Sequence, residues 1–244
     1  TFTWNGDIPT YVFENNLGNG DPKYTAEAIS HEVGHTLCLS HQAKYDANGV
    51  KLEEYDPGSG SGATGWAPIM GVGYYQNLTT WRNGSTSSCY TCYQDDLAVI
   101  TSPSVGLSYR TDDVGGTIAT AASLTVVDTS AIGAGIIEQA SDTDMFAFTT
   151  GAGTVSFQAD PVAAGPNLDI KLELYDGAMN LLASNEPASA LNASLSTSLT
   201  AGQYYIAIKT VGTYGRLGQY SITGTVVSTG GADVTPPTTS LNSP

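Results

Sequence analysis

The fold class this 244-residue sequence predicts is an α+β amino-terminal part followed by an all-β sandwich. Two observations predict it. Residues 23 to 40, "KYTAEAISHEVGHTLCLS", carry Ala28, Ile29, Val33 and Leu37 at helical spacing. Beyond about residue 112 that spacing disappears, and at least six short runs of alternating apolar and polar residues take over. Glycine is frequent at 28 residues and proline adds 11, so the chain turns often.

In chain order, "IPTYVFEN" (8 to 15) is β-branched and aromatic and predicts a strand. "NLGNGDP" is a turn cluster. The helix that follows is expected to be capped by Asp21, with Pro22 in its first turn, and to be partly buried on both sides. Residues 42 to 68 form a long loop, and "IMGVGYYQNLTTW" a tight turn entering a packed segment. "QDDLAVI" begins as a capped helix with Asp95 or Asp96 at its head and ends near Ser102-Pro103.

The β series comprises "DMFAFTT", "GTVSFQAD", "LDIKLELYDG", "ASLSTSLT", "GQYYIAIKTVG" and "GQYSITGTVV". Alternation through Ile170, Leu172 and Leu174, and through Tyr204, Ile206 and Ile208, places one face of each strand in a core. The divisions expected are 1–111, 112–227 and a Pro/Thr linker at 228–244. The first residues carry no initiating Met and the last stop in mid-linker, so the chain reads as a segment of something longer.

Lys and Arg number 8 against 23 Asp and Glu, a formal net charge of -15. Nucleic acid, which needs a basic footprint, is excluded as a partner. There is no run of eighteen apolar residues, hence no membrane span, and an acidic extracellular surface fits. Asp142, Asp144, Asp160 and Asp169 are candidates for a Ca2+ site, against a reading as solvated turn residues.

Every histidine of the chain lies in "ISHEVGHTLCLSH". His31 and His35 leave one helix face a turn apart, and Glu32 beside them could take a proton from metal-bound water. His41 is ten residues beyond His31. On a straight helix it would stand about 80 degrees short of three full turns and about 15 Å up the axis. Three histidines can share one Zn2+ only if the chain bends after Leu37. Cys38 occupies that bend. Direct ligation, a disulfide to Cys89, Cys92 or a cysteine elsewhere, and a buried free thiol are the alternatives for it. Cys89 and Cys92 form a C-x-x-C unit, read as a small local disulfide or two thiols in a loop.

The stretch resembles the metzincin signature H-E-x-x-H-x-x-G-x-x-H, matched at His31, Glu32, His35 and His41, with Cys38 in place of the glycine. The resemblance implies a left-handed or similarly strained conformation there, in which a cysteine would cost about 1 kcal/mol or somewhat more. The resemblance implies a methionine turn, for which Met70 in "WAPIMGVGYY" is the candidate. Some members place a tyrosine two residues later; here Val72 stands there, leaving Tyr74 or Tyr75, of which Tyr74 is preferred. The run up to "QDDLAVI" is similar to secreted, reprolysin-like bacterial zinc metalloproteases. Residues 112 to 227 resemble the bacterial pre-peptidase C-terminal type of sandwich through "SDTDMFAFTT", "LDIKLELYD" and "AGQYYIAIK". The tail "DVTPPTTSLNSP" looks like the opening of an immunoglobulin-like repeat.

What the resemblance implies is a metzincin-like catalytic part, incomplete at its N-terminal side because only about thirty residues precede His31. It implies a secreted zinc metalloendopeptidase with a protein or peptide substrate and Glu32 as general base. The alternative is a non-catalytic extracellular binding or adhesion segment, attached to a cell surface or polymer through the β-sandwich.

Overall fold

The computed structural model describes residues 9–211 and 214–230. The expected linker from 231 onward and residue 8 of the first expected strand lie outside the described residues.

No strand forms over the rest of "IPTYVFEN"; a 3-10 turn occupies Glu14–Asn16. Helix α1 spans Pro22–Thr36. Its start is as the sequence predicts, with Pro22 in the first turn and the Asp21 carboxylate accepting from Tyr24 N at 3.0 Å. Its burial differs from expectation. Gly34 is the helix's buried residue, while Ile29 is 48% and Val33 41% exposed. One apolar flank of α1 therefore faces solvent.

Between α1 and the sandwich the chain makes three small paired units. Strand β1 (Lys44–Tyr45) pairs antiparallel with β2 (Lys51–Glu53). Strand β3 (Trp66–Pro68) pairs parallel with β4 (Leu78–Thr80), and β5 (Asn83–Ser85) antiparallel with β6 (Tyr93–Asp95). Helix α2 (Asp96–Ile100) follows, capped by Asp95, whose carboxylate accepts from Ala98 N at 2.9 Å. Cys89 and Cys92 form a disulfide with each other, which overturns a cross-link from Cys38 to either; Cys38 is a free thiol.

The rest is sandwich. Its strands are β7 (Ala122–Ser123), β8 (Thr125–Val127), β9 (Ser130–Ile137), β10 (Thr143–Thr150) and β11 (Gly153–Pro161), then β12 (Ile170–Tyr175), β13 (Leu181–Asn185), β14 (Ala193–Leu199), β15 (Gly202–Thr210) and β16 (Gly218–Thr225). They build two five-stranded sheets, ordered β13-β12-β15-β10-β7 and β14-β11-β16-β9-β8. Pairing is antiparallel apart from β10 with β7.

The inner faces follow from period-two alternation. Ile170, Leu172, Leu174, Ile206 and Ile208 are fully buried, with Leu172 opposite Ile208 and Leu174 opposite Ile206. Phe148 of one sheet meets Phe157 of the other edge to face at 4.7 Å, and each fully buried phenyl contributes about 1.5–3 kcal/mol. The ring of Phe157 lies over Gly224, where a Cβ would collide with it.

The two outer faces differ. On the β12/β15/β10 side Met145, Tyr205 and Ala207 are covered by Ile118 and Ala121. On the β14/β11/β16 side the outward positions are small, polar and open to solvent, including Gln158, Ser194, Ser196, Thr223 and Thr225.

The expected α+β metzincin core is not what these residues build. Among the described residues the α-helices are α1 and α2, of 15 and 5 residues, and no sheet of more than two strands lies outside the sandwich. The architecture is mostly β-sandwich. A helix and a run of turns rest on one end of it, held where Tyr214 accepts from Leu97 N and donates to Asp95, and where Thr79 N donates to Asn167.

Candidate metal centre

Helix α1 ends with the bend that three shared histidines require. Leu37 is the last cap residue, and Cys38 has a φ of 70°. Cys38 N donates to His35 O at 3.1 Å and Leu39 N to Gly34 O at 3.0 Å. These are the two bonds of a Schellman motif, with cysteine in the position glycine usually fills. Leu39, fully buried, supplies the apolar contact that accompanies such an end. The bend turns the chain back, so His41 returns to the face of His31 and His35.

The three imidazoles converge. Ring centroids lie 4.9 Å apart for His31 and His35, 5.2 Å for His31 and His41, and 4.7 Å for His35 and His41. His31 Nδ1 is 2.8 Å from Ile69 O, and His35 Nδ1 is 2.8 Å from Leu39 O. A carbonyl can only accept, so each Nδ1 carries the proton and each Nε2 keeps its lone pair. His35 Nε2 and His41 Nε2 stand 2.9 Å apart. A tetrahedron with metal–nitrogen bonds of about 2.0–2.1 Å has edges of about 3.3–3.4 Å, so a shared ion would part these two nitrogens by about 0.4 Å.

Burial lowers the pKa of His31 and of His41, and the neighbouring imidazoles, His35 foremost, lower both further. Neutral imidazole is the form a metal binds. The residues therefore fit a borderline d-block cation, and the fit stands on converging lone pairs held by backbone carbonyls.

The candidate for the methionine turn is Met70. It is fully buried, and its sulfur lies against Gly34, so that any Cβ at 34 would meet it. The side chain is a floor under the helix beside His35, and residue 34 must be small. Glu32 borders the same hollow as His31, a space of about 270 Å³ that Tyr55 and Tyr74 also line.

Tyr74 packs mainly on Tyr24, at 4.9 Å, and burial raises its pKa. The tyrosine that meets the histidines is Tyr55, 4.6 Å from His41 and 6.1 Å from His31. No periodicity or spacing pointed to Tyr55, because it sits in the irregular 42 to 68 stretch.

Of the four candidate calcium positions, two are otherwise engaged. Asp169 pairs with Arg216, and Asp160 accepts from Gln158. Asp142 and Asp144 instead approach Asp112, Asp113 and Glu138, three residues the sequence did not single out.

No family model matches this chain, and no curated protein matches it. Solved structures give faint likenesses. A periplasmic inhibitor of g-type lysozyme from Aeromonas hydrophila is 12% identical, with 43% of this chain and 95% of that one covered, at a TM-score of 0.35. The pre-peptidase C-terminal domain of a collagenase from Bacillus anthracis is 14% identical over 48% of this chain and 99% of that one, with a TM-score of 0.33. A CBM35 from Cellvibrio japonicus Abf62 is 11% identical over 50% and 88%, with a TM-score of 0.18. At such scores the likenesses carry no argument about function, which has to come from the residues themselves.

Those residues correct the metzincin peptidase expectation. Among the described residues the architecture is mostly β-sandwich, with two short helices, and the flank of α1 at Ile29 and Val33 is exposed. Histidine spacing bears on metal binding and not on a reaction, so neither a metalloendopeptidase activity nor a peptide substrate is assigned to this chain. No described helix is long and apolar enough to cross a membrane.

Proposed function

We propose that this chain is a non-catalytic extracellular binding segment that attaches to a neutral, hydroxyl-bearing polymer through its β-sandwich. In this reading residues 112–227 are the binding module, 1–111 carry a metal site, and 228–244 are a linker. The observation that carries it is the open face of β14, β11 and β16. Register places Ser196, Ser156 and Thr225 in one row and Ser194, Gln158 and Thr223 in the next. Rows of outward side chains on a sheet repeat every ~6.6 Å along the strands and ~4.8 Å across them.

These six side chains line a shallow hollow of about 460 Å³ and none is charged. Hydroxyls and an amide both donate and accept, which suits a partner made of hydroxyl groups. A net charge of -15 disfavours a polyanionic partner. The Cys89–Cys92 disulfide supports an oxidising compartment outside the cytoplasm.

His31, His35 and His41 are proposed to hold one Zn2+, which would fasten the end of α1 to the loop after it. Its chemistry there is that of a cross-link between three side chains.

The test is co-sedimentation of the intact chain with insoluble cellulose and chitin, beside the double variant Ser156→Val/Ser196→Val. Valine keeps the strand and removes the hydroxyls. Retention by the unaltered protein and a drop of tenfold or more in the variant is the expected result. Equal retention of the two proteins, or none on either polymer, would overturn the proposal.

A further inference from the structure

We propose that Asp112, Asp113, Glu138, Asp142 and Asp144 form a calcium site where the chain enters the sandwich. The five come from three places in the sequence. Asp112 and Asp113 precede Val114, the first residue of the sandwich core. Glu138 directly follows β9, and Asp142 and Asp144 bracket the start of β10. Strands β9 and β10 belong to opposite sheets, so the site sits on the corner where the chain crosses between them.

One oxygen each from Asp112, Glu138 and Asp142 lie within 4.8 Å of one another, and so do oxygens of Asp112, Asp113 and Asp144. Asp112 thus belongs to both groups and joins them.

Proximity of acidic groups is common on protein surfaces, but here two of them bury carboxylate oxygens that have no hydrogen-bond partner. Glu138 is 8% exposed, and neither of its carboxylate oxygens has a hydrogen-bond partner. Asp144 is fully buried; its Oδ2 accepts from the Tyr220 hydroxyl while Oδ1 has none. Burying ionised oxygens without donors is costly unless a cation or donor compensates. Among the described residues no lysine or arginine forms an ion pair with any of the five.

The backbone aims the remaining ligands. Val114 N donates to Asp112 Oδ1 at 3.0 Å, Ile136 N to Asp113 Oδ1 at 3.2 Å, and Glu138 N to Asp142 Oδ2 at 3.3 Å. An all-carboxylate set is hard, which selects Ca2+ or Mg2+ over Zn2+. Five carboxylates in an irregular arrangement suit the larger ion, since Mg2+ demands a near-ideal octahedron and keeps its waters. Bound there, calcium would tie the entering segment to both sheets.

The site shares no residue with the histidines or the hydroxyl face, so it stands or fails independently of both. The test is calorimetric titration of the metal-free intact chain with Ca2+, together with melting curves in Ca2+, Mg2+ and Zn2+. Expected are saturable calcium binding and a rise in Tm of about 5 °C or more at a hundredfold excess over Kd. Magnesium should give a smaller rise.

Glu138→Gln should lose the calcium response. Asp142→Asn, at a partly exposed position where folding is safe, should weaken calcium binding at least tenfold. His31→Ala should leave the calcium response unchanged. Absence of calcium binding by the folded protein at millimolar Ca2+ would overturn the proposal, as would a full response in both carboxylate variants.

Discussion

The two halves of this molecule are held together by different means. The sandwich has one continuous apolar core, from Val114 to Val226, with strands of up to nine residues on both sides. Among the described residues the part before it is a helix of about four turns, three two-stranded pairs and a helix of five residues, tied by side-chain hydrogen bonds. Arg82 pairs with Asp56, and Gln42 and Gln94 donate to Asp96 at 3.0 and 2.9 Å. Non-directional burial supports the first; a few polar contacts support the second. The difference teaches where stability and where chemistry reside. The well-packed half contains no histidine or cysteine, and the half that contains them has little core of its own.

The largest expected effect breaks the sandwich. Phe157→Ala should cost about 3–5 kcal/mol, measured by denaturant unfolding, because it opens a cavity against Phe148. Next is the polar hub of the other half. Asp96 is fully buried and accepts from Gln42, Gln94 and Arg82 N. Asp96→Ala should cost about 3 kcal/mol by leaving those donors unpaired, with hydrogen exchange rising first around α2.

The same residue gives a pH test. Burial raises the Asp96 pKa from 3.8 to about 6, against the opposing pull of the Arg82 backbone donor. A raised carboxyl favours the folded state most below about pH 4, and that contribution is lost as pH rises through about 6. Local stability around α2 should therefore fall between pH 4 and 6, and Asp96→Asn should flatten that slope.

Zinc should sharpen the contrast from the other side. At a hundredfold excess over Kd it should stabilise the first half by about 2.7 kcal/mol, read from slower exchange in α1, and His41→Ala should abolish the gain. The smallest effect is at the bend. Cys38→Gly removes the left-handed strain but frees the unfolded chain, for a net gain of about 0.5–1 kcal/mol with zinc affinity kept.

The same contrast governs what was legible in the sequence. Strands such as β12 and β15 were readable because alternation at Leu172 and Ile206 is forced by burial on one face. Strand β9, "SAIGAGII", was missed because its glycines and alanines carry little of that signal. The bend after Leu37 was legible from spacing, since His31 and His41, ten residues apart, cannot meet on a straight helix, whereas the left-handed conformation at 38 came with the glycine of the family resemblance. The exposure of Ile29 and Val33 was not, because helical periodicity marks an apolar flank without saying whether anything covers it. The family resemblance set a sheet against that flank, and the expectation of an incomplete catalytic part already placed most of that sheet outside this sequence. Tyr55 and Glu138 were invisible for a related reason: both depend on which loops meet, and local pattern does not encode that.

The most direct test of the binding role is co-sedimentation of the intact chain with cellulose and chitin, beside an assay for peptide cleavage. The unaltered protein and His31→Ala should be retained alike, Ser156→Val/Ser196→Val should stay in solution, and no peptide should be cut. Retention that depends on His31 and ignores the serine face, or peptide cleavage that Glu32→Gln abolishes, would contradict it.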